Sequence, residues 1–309
     1  MFHKNNNVRA TVQQAICGTR PGCVYGAVRV HSIMLGLTAA VLWGVHDFAV
    51  RKVSGRAEVS VLLALAFGFG ALILMPLAAL QGGWGSLDGA VLSLAVMAGL
   101  SYACAGYAQY RAFSIGPVRL VAAITGSFPL LSVGIAVLRG QEVGLLVWLG
   151  AVAVVGGIAV VAQGQDGISH GSRAAAIGWS LLAGTGYAAT FGFAQWAVET
   201  GADLPVSLVV RLAAIGAVLA LIAVLRPVIR PALLHWRPML LIGALDVGAL
   251  TLVTVAGGFA NPEYASVAAS VFGIITILLA WRLLAEPMTV LQWAGVGVVF
   301  GGIVLLGLA

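Results

Sequence analysis

Residues 41–52 read VLWGVHDFAVRK, a run that sets a histidine, His46, beside a carboxylate, Asp47, in a segment otherwise apolar enough to sit in lipid. An ionisable side chain at membrane depth costs about 2.5–3.5 kcal/mol or more, so each one is by default a functional-site candidate. A buried carboxylate is expensive as an anion and a histidine titrates near neutrality, so the pair could load and release a proton. The alternatives are structural: a hydrogen-bonded histidine, and an aspartate that snorkels or pairs with Arg51 or Lys52.

Two more ionisable residues fall within apolar runs, Arg211 and Asp246. With a rise of about 1.5 Å per residue, Asp47 lies roughly 20 Å from the start of its run and Asp246 roughly 12 Å from the start of its own. If the two runs enter the membrane from opposite faces, the carboxylates come to similar depth and could line one cavity. Arg211 has three open readings: snorkelling to the interface, binding an anionic substrate group, or pairing with Asp246.

Polar and aromatic residues share helical faces near these groups. Gly36, Ala40, Trp43 and Asp47 follow one stripe, Tyr102, Gly106 and Gln109 a second, and Tyr187, Phe191 and Gln195 a third. Narrow stripes of this kind suit helices that line a cavity. Trp84, Trp148, Trp236 and Trp293 stand near run ends, where aromatic residues anchor at the headgroups; Tyr102 and Tyr187 stand mid-run and are candidates to touch substrate.

The solvent that these residues fold in follows from composition. The chain is 61% hydrophobic and 8% charged, with a mean hydropathy of +1.05, where a soluble domain is about 25% charged. Its 41 glycines suit transmembrane helices that approach closely. The net charge of +6 is scattered singly between apolar runs, which argues against a nucleic-acid surface. Cys17, Cys23 and Cys104 are odd in number and match no metal-ligand or CxxC spacing, so no disulfide framework, metal site or cofactor is expected.

Apolar runs long enough to cross about 30 Å of hydrocarbon fall at 33–53, 59–80, 89–110, 118–138, 143–163, 174–196, 204–225, 238–260, 264–284 and 289–308. The predicted fold is all-α and integral to the membrane, with ten transmembrane helices. Residues 1–32 form a polar tail without an apolar signal region, expected to be disordered, and Met34 offers an alternative start directly at the first span.

The chain is internally duplicated. A shift of 145 aligns GPVRLVAAITG and WLGAVAVVGGIAVV (from 116) with NPEYASVAASV and WAGVGVVFGGIVLL (from 261), pairing Pro117 with Pro262, Trp148 with Trp293, Gly150 with Gly295, and Gly157 with Gly302. Near the start of each half the shift is about 142, pairing Gly36 with Gly178 and Gly44 with Gly186. Five helices per unit, at 33–163 and 174–308, force the second unit to enter from the opposite face. Inverted repeats around a midplane site are a recurrent architecture of secondary transporters.

The segments 110–161 and 261–306, with LWG at 42–44, resemble the EamA-type ten-helix carriers of the drug/metabolite transporter superfamily, and the resemblance covers everything from about residue 33. It implies an exporter of a small metabolite or amphipathic compound, with the first four helices of each unit lining the cavity and the fifth peripheral. Such carriers usually have Gly-Glu at the turn before each unit's last helix, where this chain has Gly140-Gln141 and Ala285-Glu286. An arginine common to the second and seventh helices remains as Arg211, with Ala64 taken as its first-half counterpart.

The expected function is secondary transport across a bacterial inner membrane, with a small molecule and the lipid bilayer as partners and protons as a candidate coupling ion. No Walker loop, HExxH or nucleophile set suggests an enzyme or an ATP-driven pump. The competing class is a non-transporting membrane subunit or lipid-handling scaffold. Both termini are expected on one side. Charge places them outside, because Arg51, Lys52, Arg56, Arg111, Arg119, Arg173, Arg226, Arg230, Arg237 and Arg282 follow or flank odd-numbered spans, whereas the resemblance implies cytoplasmic termini.

Overall fold

The computed structural model of the protein describes residues 21–131, 144–161, 163, 172–256 and 263–308. Its main helices are α1 (Pro21–Val53), α2 (Val59–Gln81), α3 (Gly89–Ile115), α4 (Val118–Gly126), α5 (Leu145–Val161), α6 (Arg173–Thr200), α7 (Asp203–Leu225), α8 (Trp236–Ala256), α9 (Glu263–Ser270), α10 (Phe272–Leu283) and α11 (Val290–Leu308), with no strand among the described residues. The helix starts follow local chemistry. Asp88 accepts from the amides of Ala90 and Val91 at 2.9 Å, Ser172 accepts from Ala175, and Pro117 stands just before α4.

Five helices are long and apolar enough to span a membrane: His31–Val53 within α1, α2, α3, α7 and α8. Four shorter apolar helices, Val118–Leu131, Leu145–Val161, Val267–Leu283 and Val290–Leu305, cover the other predicted runs except 174–196. That run is the 28-residue α6, whose Gly, Ala and Thr content dilutes its hydropathy because one face packs closely on α3. A Cβ on Gly186 would stand 2.8 Å from the Cβ of Ala105. Helix α1 begins at Pro21, a residue suited to the first helical turn, inside the segment read as a polar tail; residues 1–20 lie outside the described residues, as does 132–138 of the fourth predicted span.

The principal helix pairings join one repeat to the other. Gly157 of α5 packs against Gly295 and Val299 of α11, and Gly302 of α11 packs against Gly150 and Val154 of α5. Each contact becomes the other under the shift of 145, and early residues of one helix meet late residues of the other. The two helices are therefore antiparallel and exchanged by a pseudo-twofold axis perpendicular to both. For helices that cross a membrane, that axis lies in its plane, which makes the repeats inverted.

A second reciprocal set fixes the register of the inner helices. Gly99 of α3 meets Val210, Ala213 and Ala214 of α7, while Gly243 of α8 meets Ala66, Phe69 and Gly70 of α2. Every member of the first set lies 144 residues from one member of the second. By this register the first-half counterpart of Arg211 is Phe67, not Ala64, because packed backbones rather than a motif match define the equivalence.

Candidate functional site

Two polar centres and an aromatic cavity occupy the middle of the bundle. The first centre joins α7, α8 and α3. Arg211 donates through Nη1 to Oδ2 of Asp246, and the Tyr102 hydroxyl donates to Oδ1 of the same carboxylate. Arg211 is 0% exposed, Asp246 2% and Tyr102 1%, which removes the snorkelling reading of Arg211 and leaves it paired with Asp246. Its guanidinium carbon lies 4.9 Å from the Phe67 ring centroid and 5.3 Å from that of Tyr102, and these two rings stack at 5.1 Å. The π faces take up charge that the hydrogen bonds leave, since Nε and Nη2 of Arg211 have no hydrogen-bond partner.

The second centre lies on α1. Nδ1 of His46 is 2.8 Å from Oδ1 of Asp47, and both residues are buried. Asp47 pairs with neither Arg51 nor Lys52. Arg51 donates from Nη1 to the Phe113 carbonyl at 2.7 Å and lies 3.5 Å from Glu286, and Lys52 rests over the Phe48 ring. The other oxygen of Asp47 makes no full hydrogen bond, although the Gln109 side chain stands close enough to act on the carboxylate.

That oxygen belongs to a residue lining the central cavity, with Trp43, Gln109, Tyr187, Phe191 and Phe272, around about 210 Å³ of empty space. These residues come from α1, α3, α6 and α10, so both repeats contribute. The room it offers a guest is only about 10 Å³, enough for a water molecule and far below the roughly 300–1,000 Å³ usual for ligand sites. Helical spacing puts Trp43 and Asp47 on one face of α1 and Tyr187 and Phe191 on one face of α6. Trp43 sits 5.4 Å from Phe191, 6.5 Å from Tyr187 and 6.2 Å from Phe272 between ring centroids.

The cavity thus gathers Trp43, Asp47, Gln109 and Tyr187 from the sequence candidates, and His46 supports it through Asp47. Tyr102, Arg211 and Asp246 form their own centre instead. Asp246 does not line the cavity with Asp47, although its charge reaches Asp47. Gln195 lies outside the lining, its amide 3.5 Å from the Val253 carbonyl. Among the proposed interfacial tryptophans, Trp84, Trp148 and Trp236 are exposed, while Trp293 is partly buried edge-on to Trp281. Sequence reading missed Phe272 and Phe67. Phe67 carries a usable signal, its place 144 residues before Arg211; Phe272 has none, being one apolar residue in an apolar run.

On the side where α1 ends, Glu286 joins the repeats. One carboxylate oxygen lies 3.5 Å from Nε of Arg51 and the other accepts from the Val118 amide at 3.0 Å, at the N-terminus of α4. Arg119 donates to the Pro287 carbonyl beside it.

Comparison with known proteins agrees with this architecture. A solved crystal structure with 16% sequence identity superposes with a TM-score of 0.66 over 89% of this chain and 95% of its own, which shows the shared fold. No curated protein matches the sequence. The model of the EamA-like transporter family matches twice, at residues 31–163 and 174–308. The chain belongs to the EamA-like transporter family, as a multi-pass integral membrane protein of the drug/metabolite transporter type.

Proposed function

We propose that the protein is a secondary carrier that exports a small polar or amphipathic metabolite across the bacterial inner membrane, through a site between two five-helix units that alternate access, with protons as the coupling ion. The observation that carries this reading is Asp47. It is a 1% exposed carboxylate paired on one oxygen with a histidine, its other oxygen making no full hydrogen bond beside Gln109, and it lines a space built by both repeats. A static structural subunit gains nothing from a half-satisfied buried acid, which costs stability. A carrier uses it, because the acid can hold a proton or substrate in one conformation and release it in another.

Counterflow in proteoliposomes loaded with a metabolite mixture tests the reading, with Asp47→Asn as the diagnostic variant. Asparagine keeps the size but holds neither the charge nor the proton. The expected outcome is lost counterflow, or counterflow that no longer responds to a pH gradient, at normal membrane expression. Wild-type rates with unchanged pH dependence in this variant would end the coupling assignment.

A further inference from the structure

We propose that the open cavity beyond the end of α1 binds the phosphate of an anionic lipid headgroup. The site goes beyond the carrier reading and does not depend on it. The cavity offers a guest about 520 Å³, within the range of ligand sites and far more than the centre of the bundle. Arg56 and Glu58 of the turn between α1 and α2 line it, with Arg111 and Ser114 at the end of α3. Val228 and Pro231 of the connection between α7 and α8 complete the wall, so both repeats build it. Its charge is two guanidinium groups against one carboxylate. Neither arginine joins an ion pair among the described residues. Ser54, which also lines the cavity, is 2% exposed, and its hydroxyl has no hydrogen-bond partner.

The corresponding place on the opposite face is closed by the protein itself. There Ser86 Oγ accepts from the Ala202 amide at 2.8 Å and Gln81 Oε1 from the Leu204 amide at 3.0 Å, so the first repeat caps the start of α7. The shift of 144 carries Ala202 and Leu204 to Glu58 and Ser60 at the start of α2, and Gln81 and Ser86 to Leu225 and Arg230. Leucine has no acceptor and arginine only donates, so the side chains at these two positions cannot return the cap. The Glu58 side chain does not supply it either. The first amides of α2 are therefore left to water or a ligand, at the positive end of a 23-residue helix and in a cavity lined by two arginines. That donor set suits a phosphate. A helix of this length just crosses about 30 Å of hydrocarbon, which sets its start at headgroup level. Val228, in the lining, and its neighbour Ile229 are exposed apolar residues that suit acyl chains, which favours a lipid over a free anion.

Equilibrium binding to the purified full-length protein in a neutral detergent tests the assignment with three probes: phosphatidylglycerol, phosphatidylcholine with the same acyl chains, and inorganic phosphate. The wild type should bind phosphatidylglycerol more tightly than phosphatidylcholine. Arg111→Gln should weaken the phosphatidylglycerol complex at least about tenfold, the loss of one charge-assisted hydrogen bond to phosphate. Arg56→Gln, on an exposed turn, should weaken it in the same direction and keeps the test open if Arg111→Gln harms folding. Arg282→Gln removes the same charge from an exposed position outside the cavity and should leave binding nearly unchanged. Equal weakening by Arg282→Gln would show diffuse surface attraction in place of a site and overturn the proposal. So would phosphatidylcholine bound as tightly as phosphatidylglycerol, or binding that survives both cavity variants. Inorganic phosphate bound as tightly as the lipid, with the same dependence on Arg111, would give the site to a free phosphate and overturn the lipid.

Discussion

At positions 144 residues apart, α2 and α3 present Phe67 and Tyr102 where α7 and α8 present Arg211 and Asp246. The first repeat contributes a stacked aromatic pair, the second an ion pair, and the two pairs meet at the centre of the bundle. Tyr102 donates to Asp246, and Arg211 lies over both rings. An isolated ion pair there would pay several kcal/mol per ion in desolvation, of the order that makes many buried pairs no better than apolar packing. The aromatic pair of the other repeat provides the missing hydrogen bond and the polarizable faces. Divergence between the repeats is therefore complementary. Along α1 and α6 the asymmetry runs the other way: His46 and Asp47 of the first repeat correspond, at the shift of 142, to Ala188 and Ala189. Each repeat holds one charged centre, one locked and one facing the cavity.

Breaking the locked centre should have the largest effect. Arg211→Met leaves Asp246 as an uncompensated buried anion, and Asp246→Leu leaves the guanidinium without its acceptor. Either should lower stability by about 3–5 kcal/mol. The double variant restores an apolar pair, as in the first repeat, and should recover most of that loss. Reversible unfolding in mixed detergent micelles would measure all three. If the double variant were as damaged as the sum of the singles, the pair would owe its place to something other than mutual neutralisation.

The duplication, the inversion and the membrane class were legible in the sequence because Trp, Pro and Gly recur at one shift and because five is odd. Ionisable residues in apolar runs were legible for the same reason of contrast. Their partners were legible only as alternatives. That Asp246 belongs to Arg211 and Tyr102, while Asp47 belongs to His46 and the cavity, depends on rotation of α8 against α3 and α7. A depth estimate along a helix axis carries no information about that rotation. Phe272 illustrates the limit further, since in a chain this apolar a phenylalanine facing a cavity and one facing lipid look alike until packing is known.

Packing, unlike charge, is shared by the halves, and glycine substitutions should show that. A side chain at Gly99 would collide with the Val210 carbonyl and Ala213, and one at Gly243 with the Ala66 carbonyl and Phe69. Gly99→Val and Gly243→Val should each cost about 1–3 kcal/mol, in similar measure, because both force the same backbone approach apart. Gly68→Ala in α2, which meets nothing within 4 Å, is the control and should stay within about 1 kcal/mol of the parent. Unequal damage from the two valines in the unfolding assay would show that the halves do not pack as equivalents.

The smallest effect concerns the turn before the last helix of each repeat, Gly140-Gln141 in the first and Ala285-Glu286 in the second. Gly140 and Gln141 lie outside the described residues, but Ala285 has φ of 52°, the left-handed region that glycine enters freely and an L-residue enters at a cost of about 1–2 kcal/mol. The turn delivers Glu286 to Arg51 and to the N-terminus of α4, where an anion is favoured by the helix dipole. Strain at Ala285 is thus held by the contacts of its neighbour. Ala285→Gly makes the second turn like the first and relieves the strain, while the added freedom of glycine in the unfolded chain returns about 0.4–1 kcal/mol of it. The net should be a gain of about 0.5–1 kcal/mol, read as a higher unfolding midpoint. In the Glu286→Gln background the same substitution should gain less, because a turn no longer tied to Arg51 can relax on its own. A destabilised Ala285→Gly variant would show that the turn is not left-handed at 285, and equal gains in both backgrounds would show that Glu286 does not hold it there.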